Sequence, residues 1–299
     1  MVLIGGSLVF VALDAWAYNF GCPGLWILPL GIYLIYGSAI ECTGMVARSP
    51  FGAVTGPALL ACAGVMLAGI TPVFWPLLES SPAVGGGWSP QLEAPLVASA
   101  LGLVFCFVWY FSNFQPGQGV FARCVLAGWI ACYFGICFSM AIAVRMLGEP
   151  GWGLYLLIGI VVVTKSADSG AYFAGRSLGR TKLCSRVSPN KTVEGLVGGM
   201  LVAFIAAWVY FGWVAPKVFG AENVSASLMG LLAMGVGLTL AGLAGDLLQS
   251  VFKREMGVKD SGSLLPGLGG LWDVTDSLLP AVVTGYVLAR AGVVVGPGQ

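Results

Sequence analysis

Asp246, Gln249, Ser250 and Lys253 stand at i, i+3, i+4 and i+7, a spacing that puts all four on one face of a helix. Further along, Asp273 and Asp276 are three apart and share a face at the start of the last apolar run. The spacing predicts three carboxylates converging near a membrane surface, with Lys253, Arg254 and Lys259 close by. Carboxylates bind hard cations through oxygen, and Mg²⁺ is commonly held by one or two of them plus substrate phosphates. Lysine and arginine supply the remaining positive charge for a polyphosphate. The pattern thus points to metal-assisted chemistry on phosphate. A plainer arrangement also satisfies it, with an Asp246–Lys253 ion pair and Asp273 and Asp276 capping the last helix, where acidic residues are stabilising. An aspartate inside an apolar run is nevertheless expensive and usually functional.

A second polar segment precedes it. Asp168, Ala171, Tyr172 and Gly175 form a stripe at helical spacing, whose small residues permit close helix contact or close approach of a ligand. Beyond it come Arg176, Arg180, Lys182 and Lys191, interleaved with Gly and Ser. The G-x-x-x-x-G-K-[ST] spacing is absent, so this is not a P-loop. Ser188-Pro189-Asn190-Lys191-Thr192-x-Glu194 places a turn and a capping Ser or Thr before a helix, whose free N–H groups can hold an anion. The basic residues suit lipid headgroup contacts equally well. In the first 150 residues, Asp14 and Glu41 lie at or near span interiors and are the few candidates for chemistry.

The elements that must position these residues follow from composition. Of 299 residues, 58% are hydrophobic and 9% charged, with a mean hydropathy of +0.91. A soluble domain carries roughly 25% charged residues, so the chain reads as an all-α polytopic membrane protein. A net charge of +1 gives no field that would attract nucleic acid. There is no histidine, which excludes imidazole catalysis and histidine-ligated zinc or haem. The eight cysteines contain no C-x-x-C pair, and neither a zinc site nor a disulfide framework is expected.

A hydrocarbon core of about 30 Å needs roughly 20 apolar residues in helix. About nine such runs are predicted, over 2–20, 24–42, 56–78, 94–114, 120–146, 150–166, 195–214, 227–250 and 278–295. No Lys or Arg precedes Arg48, so the opening reads as a retained first span and not as a cleavable signal peptide. With the N-terminus cytoplasmic and the C-terminus outside, the cytoplasmic side collects all Lys and Arg except Arg145, Lys217 and Arg290. Residues 1–150 then form an N-terminal region of about five spans. Residues 151–299 form a catalytic transmembrane region whose two motif loops face the cytoplasm.

The two polar segments resemble the phosphatidate cytidylyltransferase (CDP-diacylglycerol synthase) family. Its signature reads approximately S-x-x-K-R-x(4)-K-D-x-G-x-L-L-P-G-H-G-G-x-x-D-R-x-D. Ser250, Lys253, Arg254, Lys259, Asp260, Gly262, Leu264, Leu265, Pro266, Gly267, Gly269, Gly270, Asp273 and Asp276 fall in register. The upstream block is similar to D-[ST]-x-A-Y-x-x-G-R…K-L…S-P-x-K-T-x-E-G, through Asp168, Ser169, Ala171, Tyr172, Gly175, Arg176, Lys182, Leu183, Ser188, Pro189, Lys191, Thr192, Glu194 and Gly195. Roughly the last 135 residues are covered. Leu268 replaces the family's histidine and Val274 its arginine, while Gln249 stands where many members have Glu and Arg180 where Lys is common.

The resemblance implies conversion of CTP and phosphatidate to CDP-diacylglycerol and pyrophosphate at the cytoplasmic face of a cell membrane. It implies Mg²⁺, with or without a second monovalent cation such as K⁺, and a homodimer. It makes Asp246 and Asp273 the principal metal ligands and Asp276 a supporting one. Lys253, Arg254, Lys259 and Asp260 form its catalytic set, the three cations holding the CTP phosphates. Asp168, Tyr172, Arg176, Lys182, Ser188, Lys191, Thr192, Glu194 and Ser250 line its substrate sites. A CTP-dependent lipid kinase of the dolichol or phytol kinase type, an ion-coupled transporter and an inactive paralogue are the competing readings.

Overall fold

Glycine and proline punctuate the chain where its helices begin and end. A computed structural model describes residues 2–16, 21–75, 90–112, 114–115, 119–220, 222–262, 264 and 269–298. Its elements in order are α1 (Val2–Trp16), α2 (Leu28–Ala47), α3 (Thr55–Phe74), α4 (Pro90–Ser112), α5 (Val120–Arg145) and α6 (Pro150–Leu178). There follow strands β1 (Lys182–Cys184) and β2 (Ser188–Thr192), α7 (Val193–Phe219), β3 (Ser225–Ala226) and α8 (Leu228–Glu255). The short α9 (Leu271–Thr275), α10 (Leu278–Arg290) and β4 (Val294–Val295) close the chain. Pro29 and Pro150 stand in the first turns of α2 and α6, where a missing N–H costs nothing.

Seven helices among the described residues, α2 to α8, are long and apolar enough to cross a membrane. The last run forms a shorter helix than its sequence window, and at 1.5 Å per residue the 13 residues of α10 rise roughly 20 Å. At the C-terminal end the reason is local: Gly292, at φ +73°, turns the chain into β4, so the apolar residues after Arg290 are not helical. The sixth run, short by hydropathy, continues as helix to Leu178 and carries Asp168, Tyr172 and Arg176 with it.

The chain forms two compact units. One comprises residues 1–146 with 255–275, the other 147–254 with 276–299. In the first, α3 and α5 interlock through glycines. A Cβ on Gly135 would lie 2.6 Å from the Val65 side chain, and one on Gly69 would lie 2.9 Å from the Ser139 backbone. Only glycine permits that approach, and close packing is the main source of helix association in lipid. Asp14 meets Arg145 in a buried ion pair at 2.7 Å and accepts a further hydrogen bond from the Trp26 N–H at 3.3 Å. Its cost inside an apolar run is therefore offset by structure, and no chemistry is needed to explain it.

In the second unit, α6 packs on α7 along the stripe of small residues. Gly195 lies against the Ala171 carbonyl and Gly175, and Gly199 against Ala167 and Ala171. Of the two uses open to Ala171 and Gly175, this is helix contact. Antiparallel β1 and β2 join the two helices as a hairpin, pairing Lys182 with Thr192 and Cys184 with Ser188.

Candidate active site

In the second unit, three elements bring acids and amines together. Gly242 and Gly245 on α8 face the turn before α10. A Cβ on Gly242 would lie 3.4 Å from the Ser277 Cβ, and one on Gly245 would lie 2.8 Å from the Pro280 ring. This close approach carries Asp276 in beside Asp246, the next residue on the helix. Asp276 is buried, and burial with the neighbouring Asp246 carboxylate pushes its pKa up to about 7, Asp168 adding to the effect. The Ser277 N–H, which donates to Asp276 Oδ1 at 2.6 Å, and the Lys165 ammonium oppose the shift.

Lys165 on α6 donates to Ser277 Oγ at 2.8 Å and lies 3.3 Å from Asp168 Oδ2. Ser277 Oγ in turn donates to Asp168 Oδ2 at 3.0 Å. From the hairpin, Lys191 Nζ reaches Asp246 Oδ2 at 2.6 Å, and Ser250 Oγ lies 3.4 Å from Asp246 Oδ1. Asp246 is half-exposed and Lys191 partly so, which leaves the pair open to a charged ligand. The cluster thus holds three carboxylates, two amines and two hydroxyls.

Other predicted residues of this unit serve the hairpin. Thr192 caps α7, its Oγ1 accepting from the Gly195 N–H at 3.1 Å. Glu194 accepts from the backbone N–H groups of Arg180 and Thr181, each at 3.1 Å, and so fastens the chain entering β1. Tyr172 and Arg176 bond one another at 3.1 Å on the exposed side of α6. Lys182 and Arg254 are exposed, Ser188 and Lys253 partly so.

In the first unit, Asp273 Oδ2 accepts from the Ser261 N–H at 3.0 Å, Ser261 Oγ at 2.9 Å and the Gly270 N–H at 2.8 Å. Glu41, buried near the end of α2, accepts from the N–H groups of Leu271 at 2.9 Å and Trp272 at 3.0 Å. Its Oε2 also lies 3.0 Å from Ser261 Oγ. Lys259 and Asp260 are exposed on the same loop.

A profile of the cytidylyltransferase family matches residues 25–291. The chain belongs to the cytidylyltransferase family. A phosphatidate cytidylyltransferase of Helicobacter pylori is 32% identical over 252 residues, covering 79% of this chain and 90% of its own. Proteins of the same name from Haemophilus influenzae and Bacillus subtilis are 41% and 43% identical over 134 and 153 residues. Those two matches span about half of the relatives' length, 45% and 52%.

The signature residues of this cytidylyltransferase family member fall in both units. Among the described residues, no three Asp, Glu or Cys side chains form a group placed to hold a metal ion. In the second unit the Asp246 and Asp168 carboxylates both act on Asp276, and in the first the Asp273 carboxylate is engaged by three donors from its own unit. Leu265, Pro266, Gly267 and Leu268 lie outside the described residues. Sequence reading passed over Lys165 and Ser277 as site residues. Lys165 stands three residues before Asp168 and Ser277 directly after Asp276, so their spacing to the acids was the available signal.

Proposed function

We propose that this family member transfers the cytidylyl group of CTP to the phosphate of phosphatidate, giving CDP-diacylglycerol and pyrophosphate. The observation that carries the reading is the interleaving of Lys191 and Lys165 with Asp246, Asp276 and Asp168. The donor set fits a divalent cation, because it is made of hard oxygens and because burial, with the Asp246 carboxylate beside it, holds Asp276 toward neutrality until positive charge arrives. Asp246 and Asp276 would hold Mg²⁺, with substrate phosphates completing its shell. Bound there, the ion neutralises charge on the triphosphate.

The lipid phosphate is the nucleophile. With a second pKa near 6 it is largely dianionic at pH 7, so no general base is required, and a chain without histidine suffices. Its oxygen bonds to the α-phosphorus as the bond to the bridging oxygen breaks and pyrophosphate leaves. Lys191 is positioned to move from Asp246 to an incoming phosphate, and Lys253, Arg254, Arg176 and Lys182 add positive charge around the triphosphate and the lipid headgroup. A homodimer and an active site at the cytoplasmic face of a cell membrane belong to the same reading.

Radiolabelled CTP incubated with phosphatidate and the full chain in detergent should give labelled lipid and pyrophosphate in equal amounts. CDP as co-product would mark a lipid kinase instead. The Mg²⁺ requirement should depend on pH. Below about 7 a proton occupies Asp276 and must be expelled by the cation, so each unit of acidification should raise the half-saturating Mg²⁺ about tenfold. A half-saturating concentration constant between pH 6 and 8 would remove Asp276 from the metal site.

The same reading places the N-terminus inside and the C-terminus outside, with α1 and α10 crossing as short outer spans. Reporter fusions after Lys191 and after Lys259 should both read cytoplasm, and a fusion at Gln299 the opposite side. A cytoplasmic Gln299 would overturn the nine crossings.

A further inference from the structure

Glu41 is a buried acid that the proposed chemistry leaves unused, and it lies in a 20-residue helix apolar enough to cross a membrane. Its two oxygens take the N–H groups of Leu271 and Trp272 and approach the Ser261 hydroxyl. That hydroxyl stands within 3.0 Å of both Glu41 Oε2 and Asp273 Oδ2, so a single proton serves two carboxylates. The loop's glycines fit around the acid. A Cβ on Gly262 would lie 2.8 Å from the Glu41 Cδ, and one on Gly270 would lie 2.7 Å from the Gly262 N. Ser38, one turn before Glu41, adds a hydrogen bond to Thr275 at 3.0 Å.

We infer that Glu41 is a positioning residue, an anionic peg that ties Ser261 and Gly262 to Gly270, Leu271 and Trp272. Through Ser261 it fixes the orientation of the Asp273 carboxylate and the course of the loop carrying Lys259 and Asp260. A carboxylate suits this place because it accepts from two backbone N–H groups and a hydroxyl, and charge-assisted bonds are roughly twice as strong as neutral ones. Glutamine offers one oxygen and turns an amide N–H toward a donor. Its consequence for turnover rests on the cytidylyl transfer proposed above, whereas its consequence for the loop does not.

The test uses the full chain in detergent with Glu41→Gln and, to spare α2, Ser261→Ala. Trypsin cleavage after Lys259, followed by mass spectrometry, reports the loop. Glu41→Gln should speed that cleavage at least fivefold and Ser261→Ala about twofold to threefold. In cytidylyl transfer, Glu41→Gln should lower kcat at least tenfold with KM for phosphatidate within twofold, with kcat normalised to the folded fraction measured on size-purified material, because loss of folded protein by itself also lowers apparent kcat at constant KM. Unchanged cleavage in both variants overturns the peg, whatever the activity. Faster cleavage with unchanged kcat overturns its part in turnover. Absence of transfer by the parent chain overturns the proposed reaction, and cleavage then decides the peg alone.

Discussion

Asp246→Asn should lower cytidylyl transfer at least about a hundredfold while membrane insertion and thermal stability stay near those of the parent. The side chain is half-exposed, and its ion pair with Lys191 is open to water, so losing the charge leaves no stranded buried partner. Lys191 is partly exposed and can turn to solvent. Asparagine keeps the size and an oxygen that Ser250 can still reach. What it loses is half the charge that a cation would find between Asp246 and Asp276. Removing one such electrostatic group from a transition state costs on the order of 3 kcal/mol, which is the stated factor. Burial of Asp276 remains, but the same substitution removes the carboxylate that adds to its effect, so the acid limb of any residual activity should move to lower pH. Turnover within threefold of the parent, with Mg²⁺ saturating, would refute the role of Asp246.

The features legible in the sequence are those set by composition and helical period. The shared face of Asp246 and Ser250 survives as a contact along α8, and the capping Thr192 sits where the S-P-x-K-T pattern placed it. The rest was hidden because it depends on partners distant in the chain. Glu41 and Leu271 are 230 residues apart, and no local pattern in α2 reveals that Glu41 will take the Leu271 N–H. Lys165 read as one more cation holding a loop in the cytoplasm, although its ammonium bonds Ser277, 112 residues away. The end of the last apolar run was hidden in the same way, since the residues after Arg290 turn and pair as strand, with Val294 and Val295 opposite Ala226 and Ser225.

Asp273→Asn should also cost about a hundredfold or more in turnover, by a different route from Asp246. Its Oδ2 receives three donors, two of them backbone N–H groups on either side of the signature loop. Asparagine can direct its amide oxygen to the same place, but it does so as a neutral acceptor, and each charge-assisted bond is weakened. Ser261 Oγ is then free to turn wholly to Glu41, which removes the link between the two acids. The loop should loosen, so trypsin should cut after Lys259 several times faster than in the parent, whereas Asp246→Asn should leave that rate unchanged. Raising Mg²⁺ should recover part of the loss in Asp246→Asn, where affinity for the cation is reduced, and none in Asp273→Asn if the defect lies in loop geometry. Full recovery of Asp273→Asn by Mg²⁺ with no change in cleavage would reverse the assignment, making Asp273 a ligand first and a loop anchor second.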